Sequence, residues 1–198
     1  MSEKTVKLIG LTGGIGAGKS TVIDILKKHH MIVFDCDHIN RQLLKIGEKG
    51  YLAIVQYFGA SFLKEDQSID IKKMGDAMFT NEQCKKKIEA LLHPLILMEI
   101  KKKIDTFKTD KIVVEVPLLF EIGWEHHFDE IWVVACDQEK RLQRLAKYRY
   151  IDAKEAKRRM SHQLPQQIKI DKADHVLYND TNKEDLEAQI VTLLEKRM

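Results

Sequence analysis

An eight-residue stretch near the start of the chain constrains the fold more than any other feature. Residues 13–20 read GGIGAGKS and match G-x-x-x-x-G-K-[ST], between a short apolar run and an amphipathic segment. Glycines permit backbone angles closed to other residues, so that several N–H groups converge on phosphate oxygens at a helix N-terminus. A glycine-rich turn that only joins a strand to a helix would not need the Lys19-Ser20 pair. The stretch therefore predicts a P-loop that binds a nucleoside triphosphate.

Two side chains of this loop have expected chemical roles. Lys19 would neutralise the β- and γ-phosphates, and the Ser20 hydroxyl would bind Mg2+. The loop does not by itself say what happens to the γ-phosphate.

Short runs rich in Val, Ile and Leu predict a parallel sheet. Because they are apolar throughout rather than alternating, both faces of the sheet should be covered. Helical patterns between them, at Ser20 to His29 and Gln138 to Tyr148, predict a doubly wound α/β fold with five strands. The strands are expected at Lys7 to Leu11, Met31 to Asp35, Ile112 to Val116, Glu130 to Ala135 and His175 to Tyr178.

The gap between the second and third strands, roughly 75 residues, exceeds what one crossover helix needs. An arginine-dense stretch, 141–163, predicts two helices that meet near Tyr150 to Asp152, with Asp152 capping the second. We expect a single P-loop kinase-type domain over 1–198, with a nucleotide-binding core (5–36, 108–137, 170–198), a helical acceptor-binding insertion (37–107) and an arginine-rich helical lid (138–169). The insertion has helical patterns at Ile39 to Leu44, Leu52 to Phe58, Lys72 to Met78 and Asn81 to Leu92.

Charge and cysteine usage exclude several classes of protein. The 33 basic residues are nearly matched by 30 acidic ones, so the net charge of +3 does not predict a nucleic-acid partner. Cys36, Cys84 and Cys136 have no C-x-x-C spacing, so neither a disulfide framework nor a zinc site is predicted. No run approaches the ~18 apolar residues of a membrane helix. We expect a cytoplasmic protein without a membrane segment, and no obligatory protein partner is evident.

Other P-loop proteins fit the chain less well. Residues 182–185 read NKED and match the base-reading N-K-x-D of GTPases, but Thr181 and Glu184 would also form a capping box, and no D-x-x-G follows in the required place. A motor ATPase would ordinarily have an apolar strand that ends in Asp or Asp-Glu, whereas the third strand offers only the carboxylate of Glu115. A P-loop core with an insertion and a lid is what a small-molecule kinase needs.

Several stretches, in this order and spacing, resemble the dephospho-coenzyme A kinase family. They are residues 11–21 (LTGGIGAGKST), 35–37 (DCD), 92–96 (LHPLI) and 116–121 (VPLLFE), Arg159 with Gln163, and Ala173-Asp174 with Asn179. The resemblance implies ATP-dependent phosphorylation of the ribose 3′-hydroxyl of dephospho-coenzyme A, which gives coenzyme A and ADP in the last step of coenzyme A biosynthesis.

The resemblance also assigns site residues. It implies Asp37 as the base near the acceptor hydroxyl, Arg144 as a lid arginine, and His93, Pro117 and Leu118 as further acceptor contacts. This sequence departs from the family pattern at Cys36, at His30, which replaces a glycine, and at Tyr148, which replaces a second lid arginine. The resemblance implies a nucleotide loop formed by Thr12, Gly13, Gly14, Ile15, Gly16, Ala17, Gly18, Lys19, Ser20 and Thr21.

Several alternatives stay open at this point. Asp35 would hold a Mg2+-bound water if strand geometry persists to Asp37, and Asp37 could instead only cap a helix that starts near His38. His93 and Pro94 either begin a helix, with proline in its first turn, or pack in the acceptor pocket. The chain could also be a kinase for another small metabolite or nucleoside, or an ATP-binding regulatory module without catalysis.

Overall fold

A computed structural model describes residues 6–195 and contains the predicted sheet. Its five strands in those residues run parallel in the order β2-β3-β1-β4-β5, and their ends agree with the predicted ones to within a residue or two. Residues 1–5 and 196–198, at the two ends of the predicted domain and of its core, lie outside the described residues. The strands are β1 (Lys7–Gly13), β2 (Ile32–Asp35), β3 (Lys111–Glu115), β4 (Glu130–Ala135) and β5 (His175–Tyr178).

Nine α-helices complete the described part of the chain. The helix at Gln166–Asp171 was not predicted; the others lie where the sequence predicts helices, and most of their boundaries shift by one to three residues. The helices are α1 (Lys19–Lys28), α2 (Cys36–Leu43), α3 (Lys49–Phe58), α4 (Ile71–Thr80), α5 (Glu82–Ile104), α6 (Gln138–Arg149), α7 (Ala153–Ser161), α8 (Gln166–Asp171) and α9 (Lys183–Glu195). None of the helices in residues 6–195 is both long and apolar enough to cross a membrane.

The chain divides into two compact units, and the first contains the sheet. It comprises the described residues up to Phe34 and from Thr109 onward. Its central strand β1 pairs with both β3 and β4, with Leu11 opposite Glu115 and Trp132. Apolar side chains of β1, β4, α1 and α9 form one buried core. Because ligands bind at the carboxyl ends of strands in such sheets, the end of β1 at Gly13 is the expected site.

The second unit, Asp35–Lys108, is helical. Its longest helix is α5, against which α2, α3 and α4 pack. One face of α5 is buried through Ile88, Leu92, Ile96 and Ile100, which recur every four residues. This apolar face explains why α5 continues well beyond Leu92, where the predicted helix ended.

The alternative in which His93 and Pro94 begin a helix is wrong. The helix begins at Glu82, where Asn81 Oδ1 accepts a hydrogen bond from the Cys84 N–H at 3.0 Å, and Pro94 lies in its interior. Proline lacks the N–H that would bond to the carbonyl four residues earlier, so it disfavours a helix interior. The buried face on both sides of Pro94 compensates for this loss.

Two predicted caps have different outcomes. Asp152 caps α7 as expected, because its Oδ1 accepts from the Glu155 N–H at 2.9 Å. At α9 the predicted Thr181 cap is wrong: Asn182 Oδ1 accepts from the Asp185 N–H at 2.8 Å. The asparagine and aspartate of the N-K-x-D match are therefore joined in a local helix cap, which explains why these letters occur here without a base-reading role.

Candidate active site

The P-loop joins the end of β1 to the start of α1. Among the described residues, no side chain caps α1, and the first turn of this helix carries no acidic residue. A helix N-terminus without a side-chain cap or acidic residues attracts anions through its N–H groups and its dipole. The loop therefore has the local structure of a phosphate site.

Gly18 is one position in the loop where glycine is required. Its φ of 96° lies in the left-handed region, and a Cβ there would collide with Nδ2 of Asn179. Asn179 is buried, and the same Nδ2 donates to the Ala17 carbonyl at 2.9 Å. The amide of a residue 162 positions away along the chain thus shapes this turn of the loop.

Polar residues of the loop have different surroundings. Lys19 Nζ donates to the Gly13 carbonyl at 2.9 Å, which bends the ammonium back over the loop. Ser20 is exposed in the first turn of α1. Thr12 is fully buried, and its hydroxyl donates to the Pro117 carbonyl at 3.2 Å. Thr12 therefore ties β1 to the segment after β3, in which Leu118 is exposed.

Two arginines of α6 contact the loop. Arg144 donates from Nη2 to the Asn179 carbonyl at 2.9 Å and from Nη1 to Cys136 Sγ at 3.2 Å. Arg141 donates from Nε to the Ile15 carbonyl at 2.9 Å, and a Cβ on Gly14 would lie 2.5 Å from its Nη2. Arg141 is therefore only 8% exposed and does not lie on a solvated helix face.

The electrostatics of this corner follow from burial. Burial lowers the pKa of Arg141, although a guanidinium keeps its charge in proteins. Burial raises the pKa of the Cys136 thiol to about 11, against the opposing effect of Arg144. Cys136 is therefore a neutral acceptor for Arg144 at neutral pH.

The remaining arginines do not all converge on the loop. Arg158 and Arg159 both bind Glu155 of their own helix, at 2.7 Å from each Nε. These bonds lower the pKa of Glu155 to about 2. Arg158 and Arg159 thus form a charged surface on α7.

The two aspartates of the second unit differ in structure. Asp35 caps α2, because its Oδ1 accepts from the His38 N–H at 2.9 Å, and its Oδ2 lies 3.7 Å from Arg41 Nη2. The alternative in which Asp37 is the cap is therefore wrong. Asp37 is exposed in the first turn of α2. Since the chain is helical from Cys36 onward, strand alternation does not apply to Asp35 and Asp37. Cys36 itself is buried, as a small-residue site requires.

The second unit also contains a cavity of about 320 Å³. Buried Ile39 and Leu43 form its apolar part, and Nε2 of His38 lies 3.2 Å from Nε2 of Gln42 at its edge. His93, half-buried in the middle of α5, does not line it. The polar lining is His38, Gln42, Glu48, Lys49, Glu99, Lys102 and Lys103.

A magnesium ion that arrives with nucleotide phosphates fits the loop. Within residues 6–195 no group of three or more His, Cys, Asp or Glu side chains could hold a metal ion. Mg2+ is commonly bound through one or two protein oxygens together with substrate phosphates and water, so it needs no such group. The exposed Ser20 hydroxyl at the start of α1 is a suitable protein ligand.

Three residues that contact the loop were missing from the site residues predicted from the sequence: Arg141, Gln163 and Asn179. Each contacts the loop from 126 or more positions away along the chain. Gln163 and Asn179 belonged to the stretches that resemble a known family, which was the one available signal for them.

Comparisons with known proteins agree with one another. A family model described as dephospho-CoA kinase matches residues 7–185. A dephospho-CoA kinase from Lactobacillus johnsonii is 37% identical over 191 residues, which are 95% of this chain and 96% of the relative. One from Carboxydothermus hydrogenoformans is 38% identical, over 96% of this chain and 93% of the relative.

Solved structures give the same result. A Thermus thermophilus protein has a TM-score of 0.86 at 28% identity, over 98% of this chain and 99% of its own. The dephospho-CoA kinase from Campylobacter jejuni has a TM-score of 0.68 at 27% identity, over 96% of both chains. The resemblance noted in the sequence is therefore confirmed across nearly the whole chain.

Proposed function

This chain belongs to the dephospho-coenzyme A kinase family, and we propose that it transfers the γ-phosphoryl group of ATP to the ribose 3′-hydroxyl of dephospho-coenzyme A. The products are coenzyme A and ADP, and the reaction is the last step of coenzyme A biosynthesis. The observation that carries the proposal is the intact P-loop, with Lys19 and Ser20, at the end of the central strand.

The nucleotide site is the loop from Thr12 to Thr21. Its N–H groups and Lys19 hold the phosphates, and Lys19 already bends back over the loop toward the Gly13 carbonyl. Mg2+ would bind through Ser20 and neutralise phosphate charge. The core residues 5–36, 108–137 and 170–198 provide the nucleotide-binding part, and residues 138–169 provide the lid.

Asp37 is the proposed base. Phosphoryl transfer gains most of its rate from alignment and charge neutralisation, so little basicity is needed. A carboxylate with an ordinary pKa of about 3.9 would orient the 3′-hydroxyl and accept its proton late in the transfer. The exposure of Asp37 in the first turn of α2 leaves its carboxylate accessible to an acceptor.

Two further charged groups complete the proposal. Arg144, held by the Asn179 carbonyl and Cys136, brings a fixed positive charge to the loop, where it would stabilise the transferring phosphoryl group. Asp35 uses Oδ1 for the helix cap. Its other oxygen, Oδ2, would accept a hydrogen bond from a Mg2+-bound water.

The insertion, 37–107, is the proposed acceptor-binding part. Its cavity combines an apolar floor with Lys49, Lys102 and Lys103, which suits the diphosphate and pantetheine arm of dephospho-coenzyme A. The cavity begins at His38, next to the proposed base. His93, Pro117 and Leu118 are further proposed acceptor contacts from the family resemblance.

We place the reaction in the cytoplasm, with a small-molecule acceptor and no nucleic-acid, membrane or obligatory protein partner. The near balance of 33 basic and 30 acidic residues supports a small-molecule partner. All three cysteines lie in the described residues, and no disulfide joins them, which supports a reducing compartment.

The substitution Asp37→Asn separates a kinase from a regulatory module that only binds ATP. We expect ATP affinity within about twofold of the wild type but turnover at least 100-fold lower, because a general base contributes about that much. Calorimetry with ATP and an ADP-release assay measure the two quantities. Asp76→Asn, at an exposed position of α4, is the control. Equal turnover in Asp37→Asn and wild type would contradict the assignment.

A further inference from the structure

Ile15 of the P-loop is held from both ends of the arginine-rich segment. Its carbonyl accepts from Arg141 Nε at 2.9 Å, and its N–H donates to Gln163 Oε1 at 2.8 Å. Arg141 lies in the first turns of α6, and Gln163 follows the end of α7. The first and last residues of the stretch 141–163 therefore contact the same residue of the loop.

These two contacts act on different peptide groups. The N–H belongs to the peptide before Ile15 and the carbonyl to the peptide after it, and each peptide is a rigid plane. Holding both planes fixes the φ and ψ angles of Ile15, the only soft backbone dihedrals of that residue. The N–H groups of residues 16–20 follow directly, so their directions depend on this fixed point.

The backbone next to Gln163 is in turn held by an ion pair whose cation is buried. Glu121 Oε1 accepts from the Leu164 N–H at 2.9 Å and lies 2.7 Å from Lys169 Nζ. Lys169 is fully buried, with its side chain 1% exposed, and the Glu121 side chain is 15% exposed. A buried charge is costly without its partner, so the pair fixes the backbone next to Gln163.

We propose that Arg141 and Gln163 are positioning residues for ATP, which clamp Ile15 so that the following N–H groups face the phosphates before the nucleotide arrives. The Glu121–Lys169 pair keeps Gln163 in place. Preorganised donors bind more tightly because no ordering accompanies binding. The inference rests on the proposed function, since it assumes that the loop binds ATP.

Gln163→Met tests the clamp, because methionine has a similar length but no comparable acceptor for the Ile15 N–H. We expect the ATP dissociation constant, measured by calorimetry with Mg2+, to rise about fivefold, the effect of one lost hydrogen bond. The KM for dephospho-coenzyme A should stay unchanged, and the melting temperature should fall by only a few degrees, as expected for one lost hydrogen bond. Gln167→Met is the matched control, since exposed Gln167 bonds only to Asp171 of its own helix among the contacts described.

A second pair of variants tests the anchor. Lys169→Met leaves Glu121 buried without its cation, so we expect lower thermal stability and weaker ATP binding. The double variant Glu121→Gln with Lys169→Met removes both charges but keeps an amide oxygen for the Leu164 N–H. It should regain both the melting temperature and the ATP affinity relative to Lys169→Met.

The possible outcomes distinguish the clamp on Ile15 from the role of the Glu121–Lys169 pair. Wild-type ATP affinity in Gln163→Met would overturn the clamp, and a double variant that regains stability without ATP affinity would overturn the role of the ion pair. In both cases the wild-type chain would still bind and use ATP. Failure of the wild-type chain to bind ATP would instead overturn the proposed function itself.

Discussion

Asp35 and Asp37 show how two carboxylates of one short motif acquire different roles. Asp35 lies at the last position of β2 and caps α2, whereas Asp37, two residues later, is exposed in the first turn of α2. The motif could be recognised from the sequence because it is local. The division of roles could not, since it depends on the residue at which the strand ends and the helix starts.

Asp35→Ala and Asp35→Asn separate the structural role of this residue from its charge. Alanine removes the cap, so we expect the free energy of unfolding to fall by about 1 kcal/mol. Asparagine can still accept from the His38 N–H and should retain most of that stability, while losing any contribution of the charge to Mg2+-dependent turnover. Urea denaturation and kinetics at varied Mg2+ measure the two effects. If both variants lost equal stability, the cap would not be the source of the effect.

The residues that shape the loop show where sequence reasoning ends. Gly18 and Lys19 follow from the P-loop pattern alone. Arg141 and Gln163 contact Ile15 from 126 and 148 positions away. Nothing in the local sequence distinguishes Arg141 from other polar residues of a surface helix, and only the family resemblance singled out Gln163. Only the folded chain brings them to the loop.

At the scale of elements, α5 shows that a single proline does not define a helix boundary. A helix start at Pro94 was one of two alternatives, yet the helix continues through Pro94 because its buried face includes Leu92 and Ile96 on either side. The strands were predicted well because their apolar runs are short and sharply bounded. In α5 the apolar periodicity on both sides of Pro94 was the better signal.

The cavity lined by residues of α2 and α5 allows a test of the proposal that its lysines bind the phosphates of the acceptor. Changing Lys102 and Lys103 to glutamine together removes two charges from its lining. We expect the KM for dephospho-coenzyme A to rise roughly tenfold, with the KM for ATP unchanged, because charge-assisted hydrogen bonds to phosphate are the stronger kind. Steady-state kinetics with each substrate varied in turn measure both constants.

The matched control for this test changes Lys72 and Lys73 of α4, an adjacent pair that is equally exposed and lies away from the cavity lining. The same rise in KM from both double variants would show that only the overall charge matters. An unchanged KM in the Lys102 and Lys103 variant would remove the cavity from the acceptor site.

At the scale of the whole molecule, each compact unit contains its own set of candidate groups. The first unit contains the P-loop and Arg144, and the second contains Asp37 and a cavity lined by both lysines and glutamates. The fold class was predictable because parallel strands and a P-loop leave few topologies. The helix that contacts the loop was not predictable, because α6 contacts it through arginines. From the sequence alone, such arginines could equally be exposed to solvent.

The most direct test of the central claim is ADP release by the purified chain with ATP and Mg2+, in the presence and absence of dephospho-coenzyme A. We expect release to depend on this acceptor, with one ADP per coenzyme A and the new phosphate on the ribose 3′ position. Coenzyme A, whose 3′-hydroxyl is already phosphorylated, is the matched control and should not stimulate release. ADP release that is unchanged by dephospho-coenzyme A, or a product phosphorylated elsewhere, would contradict the account.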